Sequence, residues 1–158
     1  MKNVFKIFGI AVIFLALLVP QSSYGQVTIG DIHEGGIVFQ VSDDGMSGLV
    51  IQAEDIGGKE NKMDWDAAVA ACEKLGNGWY LPSIEELKLA SKNLKTMGGG
   101  DRYNTKLSQM INYWSATELK SDWAMAMSFN TPWNMGEWQC QKKGGTRFNN
   151  IVRAVRAF

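Results

Sequence analysis

Residues that build most catalytic and metal sites are scarce in this sequence. Its 158 residues include one histidine, His33, and two cysteines, Cys72 and Cys140. A single histidine forms neither a histidine-based metal cluster nor a Ser-His-Asp triad. The adjacent carboxylates Glu85 and Glu86 would point to different sides of a helix, unlike the facing pair of a glycosidase. We therefore expect a non-enzymatic protein with no catalytic residue, no metal site and no cofactor.

An excess of charge of one sign is also missing. The chain has 16 basic and 16 acidic residues. Residues 1–25 hold two lysines and no acid, so the remainder carries 16 − 2 = 14 basic against 16 acidic groups, a net charge of −2. A general nucleic-acid-binding protein would show a strong basic excess. We therefore expect no nucleic acid among its partners.

The only long apolar run lies near the amino terminus. A basic start is followed by apolar residues over 7–19 and by the small residues Ser23 and Gly25. This order is typical of a secretory signal peptide, and the run is shorter than the roughly 20 residues of a membrane-spanning helix. We expect residues 1–25 to be cleaved and 26–158 to form a single exported domain. Its location would be periplasmic, secreted or at the cell surface, with no stable membrane span.

The densest local pattern lies in residues 63–90 and predicts helix, turn, short strand and second helix. Asp64 can cap the first helix, and the glycines and asparagine at 76–78 can end it. Ser83 and Glu86 form a capping box for the second helix. The apolar residues of the first helix recur with the spacing of one buried face: Trp65, Ala68, Val69, Cys72 and Leu75.

The remaining segments predict strands and loops. Residues 37–41 and 49–53 flank an Asp-Gly-rich loop and predict a hairpin. Residues 123–129 alternate with period two, and 137–141 predict a returning strand. After the second helix, residues 97–101 predict a loop and 104–111 a short helix. The pattern predicts an α+β fold in which two helices pack on a small, mostly antiparallel sheet with long loops.

Several of these residues also resemble a known family. Trp65, Ala67 and Cys72, followed by the Leu-Pro-Ser block, resemble the helical half of a C-type-lectin-like domain. Three blocks resemble the C-terminal domain family of the Legionella collagen-like adhesin, formerly a domain of unknown function: 79–83 (WYLPS), 113–118 (YWSATE) and 152–158 (VRAVRAF). The resemblance covers roughly residues 30–158. It implies a C-type-lectin-like fold, with a more distant similarity to formylglycine-generating-enzyme-like domains.

Two activities of these relatives are not expected here. Formylglycine-generating enzymes hold copper with a pair of late cysteines, whereas this chain has only Cys140 in that region. C-type lectins that bind calcium supply several oxygen ligands from neighbouring loops. Here Asn134 and Glu137 are the few such residues near Trp133, so calcium is not expected as an obligate partner.

The resemblance bears on the two cysteines as well. Lectin-like folds often tie the first helix to a late strand, which would correspond to a Cys72–Cys140 disulfide, and export permits one. The alternative is a pair of buried thiols, because Cys72 lies on the apolar helical face. The sequence leaves both open.

The carboxy-terminal third combines aromatic and basic side chains. Tryptophan rings stack on sugar faces, and lysine and arginine pair with sulfate or carboxylate. Trp114 and Trp123 lie in strand-like segments and are expected to be structural. The predicted ligand surface lies on the loops between residues 130 and 146 and at their margin. Its candidate residues are Trp133, Asn134, Trp138, Lys142, Lys143 and Arg147.

The preferred function is therefore an exported, adhesin-like module that binds a glycan. The resemblance associates the adhesin's domain with sulfated glycosaminoglycans. Two alternatives remain: a protein-binding display scaffold, including one diversified by a retroelement between residues 128 and 150, and a structural subunit of a surface assembly. Ligand identity and oligomeric state stay open.

Two arginines in the last segment are predicted to be structural. Alternation over 151–158 places Arg153 and Arg156 on faces shared with apolar residues. A buried arginine is tolerated when it is paired and hydrogen-bonded. We expect at least one of them to form a buried ion pair with Glu85 or Glu86.

Overall fold

The computed structural model describes residues 26–57, 62–96, 112–128, 137–144 and 149–158. These residues form two helices and seven strands in two small antiparallel sheets, an α+β arrangement. The elements in chain order are β1 (Ile32–His33), β2 (Gly36–Val41), β3 (Gly48–Gln52), α1 (Trp65–Lys74), α2 (Ile84–Thr96), β4 (Asn112–Lys120), β5 (Trp123–Ser128), β6 (Glu137–Lys142) and β7 (Val155–Ala157). Within the described ranges, no helix is long and apolar enough to cross a membrane.

The first sheet joins the two ends of the described chain. Its strand order is β1-β2-β3-β7, with every neighbouring pair antiparallel. Ile37 faces Ile51 across the predicted hairpin, which is confirmed. At the far edge, Val50 of β3 pairs with Arg156 of β7.

The second sheet has the order β4-β5-β6, where the sequence predicted one sheet in all. A two-residue turn, Ser121 and Asp122, joins β4 to β5. The predicted strands at 123–129 and 137–141 correspond to β5 and β6. The predicted loop at 97–101 and short helix at 104–111 lie outside the described residues.

Both helices begin where their side chains satisfy open backbone N–H groups, as predicted. The Asp64 carboxylate accepts a hydrogen bond of 2.8 Å from the backbone N–H of Ala67. In the capping box, the Ser83 N–H donates to the Glu86 carboxylate (2.7 Å), and the Glu86 N–H donates to the Ser83 hydroxyl (3.2 Å). After the C-cap Leu75 of α1, Gly76 and Asn77 take positive φ values of 66° and 51°, which suits the end of a helix.

The helices cover two separate apolar clusters. The α2 cluster contains Ile37, Phe39, Ile51, Ile84, Leu87, Ala90, Tyr113, Met127, Ile151 and Val155. The α1 cluster contains Ala68, Cys72, Leu81, Trp114, Ala124, Ala126, Val152 and Ala154. Residues 151–155 contribute to both, so the last residues of the chain run between the two halves of the core.

The terminal segment, residues 149–158, is hydrogen-bonded to both sheets and to the turn between the helices. Ile151 exchanges backbone hydrogen bonds of 3.0 Å with Asn112 and Trp114 of β4. Val155 does so with Tyr80 (2.9 and 3.0 Å), and the N–H of Gln52 donates to the Ala154 carbonyl (3.0 Å). The predicted period-two alternation is confirmed over 151–155, because Ile151 and Val155 lie in the α2 cluster whereas Val152 and Ala154 lie in the α1 cluster. All five residues are buried because both faces of this segment are covered, and only Val155–Ala157 form a named strand.

Candidate functional site

The terminal segment contributes a buried ion pair between Arg153 and Asp55. The Arg153 Nε donates to Asp55 Oδ1 at 2.8 Å, and a terminal nitrogen lies 2.7 Å from the same oxygen. The two side chains are 6% and 2% exposed. The Tyr113 hydroxyl donates to Asp55 Oδ2 (3.3 Å), and burial is the main cause that raises the pKa of this phenol.

The prediction of a buried arginine ion pair is therefore confirmed, but the predicted partner is wrong. Glu85 pairs with the neighbouring Lys88 at 2.7 Å on the surface of α2. Glu86 is occupied by the capping box and by the Tyr80 hydroxyl, which donates to it at 2.6 Å. Asp55 lies in an irregular segment after β3, where no sequence pattern marks it as a partner.

Arg156 joins two tight turns. Its guanidinium lies over the Trp79 ring, 5.2 Å from the centroid, and pairs with the Glu34 carboxylate. It also donates to the Glu34 carbonyl (2.8 Å) and, at 3.4 Å, to the carbonyl of Asn77. Arg153 and Arg156 are thus both used in internal contacts.

Cys72 is a free thiol, buried in the α1 cluster. Burial, with a smaller contribution from the Glu73 charge, raises its pKa to about 12. Cys140 lies in β6, paired with Met125. Of the two alternatives left by the sequence, the structure shows the buried thiol at Cys72.

Half of the predicted ligand-binding residues fall outside the described ranges: Trp133, Asn134 and Arg147. The backbone of Trp138 lies in β6 and pairs with Met127. Lys142 and Lys143 are described with their side chains. The predicted surface can therefore be assessed at the side chains of these two lysines.

Lys143 forms several intramolecular contacts. Its ammonium lies 4.0 Å from the Trp65 ring centroid and forms an ion pair with Glu118, and its side chain is only 12% exposed. Its N–H donates to the Asp122 carbonyl (2.9 Å), and its carbonyl accepts from the Trp65 N–H (3.1 Å). These contacts favour a structural role for Lys143 over the predicted ligand contact.

Lys142 is exposed and belongs to a row of three residues across the second sheet. It pairs with Trp123 on β5, and Trp123 pairs with Lys120 on β4, next to a register irregularity between Glu118 and Lys120. Directly opposite residues on antiparallel strands project from the same face. Both lysines are exposed and the indole is partly buried. We call this row the Lys–Trp–Lys rung.

The rung and the 129–136 connection are attached to opposite ends of β6. The pair Ser128 and Glu137 closes one end, and the pair Trp123 and Lys142 closes the other. Five residue steps at about 3.3 Å each separate them by roughly 17 Å. Lys142 and the 129–136 connection, which both belong to the predicted ligand surface, therefore join β6 at opposite ends.

Sequence reasoning assigned Trp123 to the core and did not consider Lys120. The available signal was a polar pair, Ser121 and Asp122, directly before an alternating run, which is a hairpin pattern. Recognising that hairpin would have placed Lys120 opposite Trp123.

Within the described ranges, no group of three His, Cys, Asp or Glu side chains is placed to hold a metal ion. Comparison with known sequences identifies no family, since no family model matches the chain and no curated protein is significantly similar to it.

Proposed function

We propose that the chain is an exported, C-type-lectin-like domain that binds a glycan and catalyses no reaction. The fold supports this proposal because two helices pack with two small antiparallel sheets, and strands from both ends of the described residues meet in the first sheet. The family resemblance adds support for the lectin-like identity. The observation that favours binding most directly is the exposed Lys142 beside the partly exposed Trp123.

The reactive side chains of the described residues support a binding role in preference to catalysis. His33 packs edge-on against Phe158, with ring centroids 4.5 Å apart. Cys72 is a buried thiol of raised pKa, and Asp55 is bound by Arg153 and Tyr113. These three groups take part in internal contacts, which favours a structural role for them and a binding role for the exposed surface.

Trp133, Asn134, Trp138 and Arg147 belong to the proposed ligand surface with Lys142. The connections that carry Trp133, Asn134 and Arg147 start and end at fixed points. Residues 129–136 link the paired Ser128 and Glu137, and residues 145–148 precede the buried Asn150. A rigid scaffold that positions variable connections is a common design for binding.

A glycan array probed with residues 26–158 tests the proposal. We expect specific glycans to be retained, and Trp133→Ala and Lys142→Ala to weaken that binding while the melting temperature stays within a few degrees. Lys74→Ala removes an exposed lysine of α1 and serves as the control. Retention of no glycan, or loss of binding and fold together, would contradict the proposed surface. Intact-mass measurement of the secreted protein, with a chain beginning at Gln26, tests export.

Protein recognition is the second candidate function. Exposed apolar side chains favour it, because Leu119 (55% exposed) lies beside the rung and Met46 (71%) and Ile32 (59%) lie elsewhere on the surface. Such a display scaffold would vary between residues 128 and 150 and keep residues 151–158 constant. Sequencing this locus in related isolates distinguishes the two functions, because variation confined to those codons favours display.

A further inference from the structure

We propose that the turn after α1 is a site of spontaneous deamidation, at which Asn77 loses its side-chain amide and the resulting carboxylate pairs with Arg156. Asn77 and Gly78 form the only Asn-Gly pair in the sequence. The reaction needs no partner other than water, and it is independent of the proposed glycan binding.

The backbone nitrogen of Gly78 is the nucleophile of this reaction. It attacks the side-chain carbonyl carbon of Asn77, so that a new C–N bond closes a succinimide ring. The side-chain nitrogen leaves as ammonia and takes up the proton of the Gly78 N–H. Water then opens the ring at either carbonyl and yields an aspartate or an isoaspartate. Glycine favours the attack, because it has no β-carbon to crowd the backbone nitrogen.

Both reacting groups are accessible in the folded protein. Asn77 and Gly78 are exposed. Within the described part of the chain, neither the Asn77 side-chain amide nor the Gly78 N–H takes part in a hydrogen bond. Neither group therefore has to break a hydrogen bond of its own before it reacts.

Other sites of the same chemistry are less favourable. The other described asparagines, at 93, 112, 149 and 150, each precede a larger residue, and two of them donate hydrogen bonds through their amides. Asp44 precedes Gly45 and could form the same ring with loss of water. Its carboxylate is held by two hydrogen bonds, one of them 2.6 Å long from the Ser42 hydroxyl. Asp44 therefore provides an internal comparison for Asn77.

A carboxylate at position 77 would lie beside a guanidinium with an unused donor. The Nη2 of Arg156 donates to the Glu34 carbonyl at 2.8 Å and pairs with the carboxylate of that residue. Its Nη1 lies 3.4 Å from the Asn77 carbonyl oxygen, and its buried Nε has no hydrogen-bond partner in the described part of the chain. Deamidation supplies an additional acceptor and an opposite charge to this guanidinium.

The two products have different consequences for the turn. Aspartate, like asparagine, tolerates a positive φ, which is 51° at residue 77. Isoaspartate adds one methylene to the main chain, inside the turn that the Trp79 N–H closes by donating to the Gly76 carbonyl (3.1 Å). The aspartate form should therefore retain the fold, and the isoaspartate form should be the less stable of the two.

Prolonged incubation of residues 26–158 at mildly alkaline pH, followed by peptide mapping and enzymatic labelling of isoaspartate, tests the site. We expect ammonia to be lost at Asn77 before any other asparagine, with a gain of one negative charge per chain. The reaction should slow at mildly acidic pH, because the deprotonated backbone nitrogen is the attacking species. Asn77→Gln, which keeps an amide but would have to close a larger ring, should remove the modification. The assignment is wrong if Asn77 stays intact, or if isoaspartate forms first at Asp44.

A thermodynamic cycle tests the pairing with Arg156 separately. Asn77→Asp reproduces the aspartate product, and we expect it to raise the melting temperature by a few degrees when Arg156 is present. The gain should disappear in the background of Arg156→Met. Added salt gives an independent check, because it should reduce the gain from a pair of this kind at the surface. An equal gain in both backgrounds, or a lower melting temperature for Asn77→Asp, would disprove the pairing.

Discussion

At the residue scale, Arg153 shows how one charge organises the interior. Its guanidinium is bound by Asp55, which also accepts the Tyr113 hydroxyl, so three distant parts of the chain meet at one carboxylate. Removing one member of a buried pair leaves the other charge unmatched, which is far more destabilising than losing a surface pair. This network therefore fixes the position of the terminal segment within the core.

Arg153→Met should lower the free energy of unfolding by about 3–5 kcal/mol, because the Asp55 charge stays buried without a counter-ion. Adding Asp55→Asn should restore part of the loss, since no net charge is then buried. Arg156→Met is the matched control: its partner Glu34 is 49% exposed, so the loss should be smaller. Urea denaturation measures all four proteins. Equal losses for the two arginine variants would refute the special role of Arg153.

Cys72 provides a pH prediction at the same scale. The folded state raises the pKa of its thiol to about 12 from the usual 9.0, so the folded protein holds the proton more tightly than the unfolded chain does. Unfolding thus releases a proton between about pH 9 and 12, and this contribution to stability falls as pH rises through that window. Cys72→Ala, although less stable at pH 7, should lose less stability than the parent between pH 7 and 10. An equal loss in both proteins would contradict the raised pKa of the Cys72 thiol in the folded state.

At the element scale, features that depend on neighbouring residues were predicted from the sequence, whereas contacts between distant segments were not. The β2–β3 hairpin, the Asp64 cap and the Ser83–Glu86 capping box depend on residues a few positions apart, and all were predicted. Asp55 was not predicted as the partner of Arg153, because the two are 98 positions apart and Asp55 lies in a segment with no periodicity. The candidate rung was missed for a related reason, since Lys120 and Lys142 become neighbours of Trp123 only through sheet register.

The start of α2 combines a local cap with a long-range one. The Ser83 hydroxyl accepts from the Glu86 N–H, and the Thr117 hydroxyl on β4 accepts from the Ile84 N–H at 2.9 Å. Ser83→Ala and Thr117→Val should each lower stability by about 1 kcal/mol, typical for the loss of a capping hydrogen bond. Thermal unfolding of the single and double variants measures both effects. No loss in Thr117→Val would mean that β4 does not help to cap α2.

At the scale of the whole molecule, the terminal segment determines whether the two halves form one structure. It contributes Ile151 and Val155 to the α2 cluster and Val152 and Ala154 to the α1 cluster. It also supplies the backbone contacts between β4 and the first sheet. Neither half can close its core without these last residues.

Removal of residues 149–158 should therefore prevent folding. Burial of each of Ile151, Val152 and Val155 contributes roughly 1.5–3 kcal/mol, and loss of Arg153 leaves Asp55 unmatched in the interior. The sum is comparable to the whole stability of a typical domain, about 5–15 kcal/mol. Near-ultraviolet circular dichroism and amide proton dispersion should both report loss of fixed packing in the shortened chain. Removal of residues 1–25 from the intact chain is the control and should leave both signals unchanged. A shortened chain that keeps a cooperative unfolding transition would show that the two sheets fold without the terminal segment.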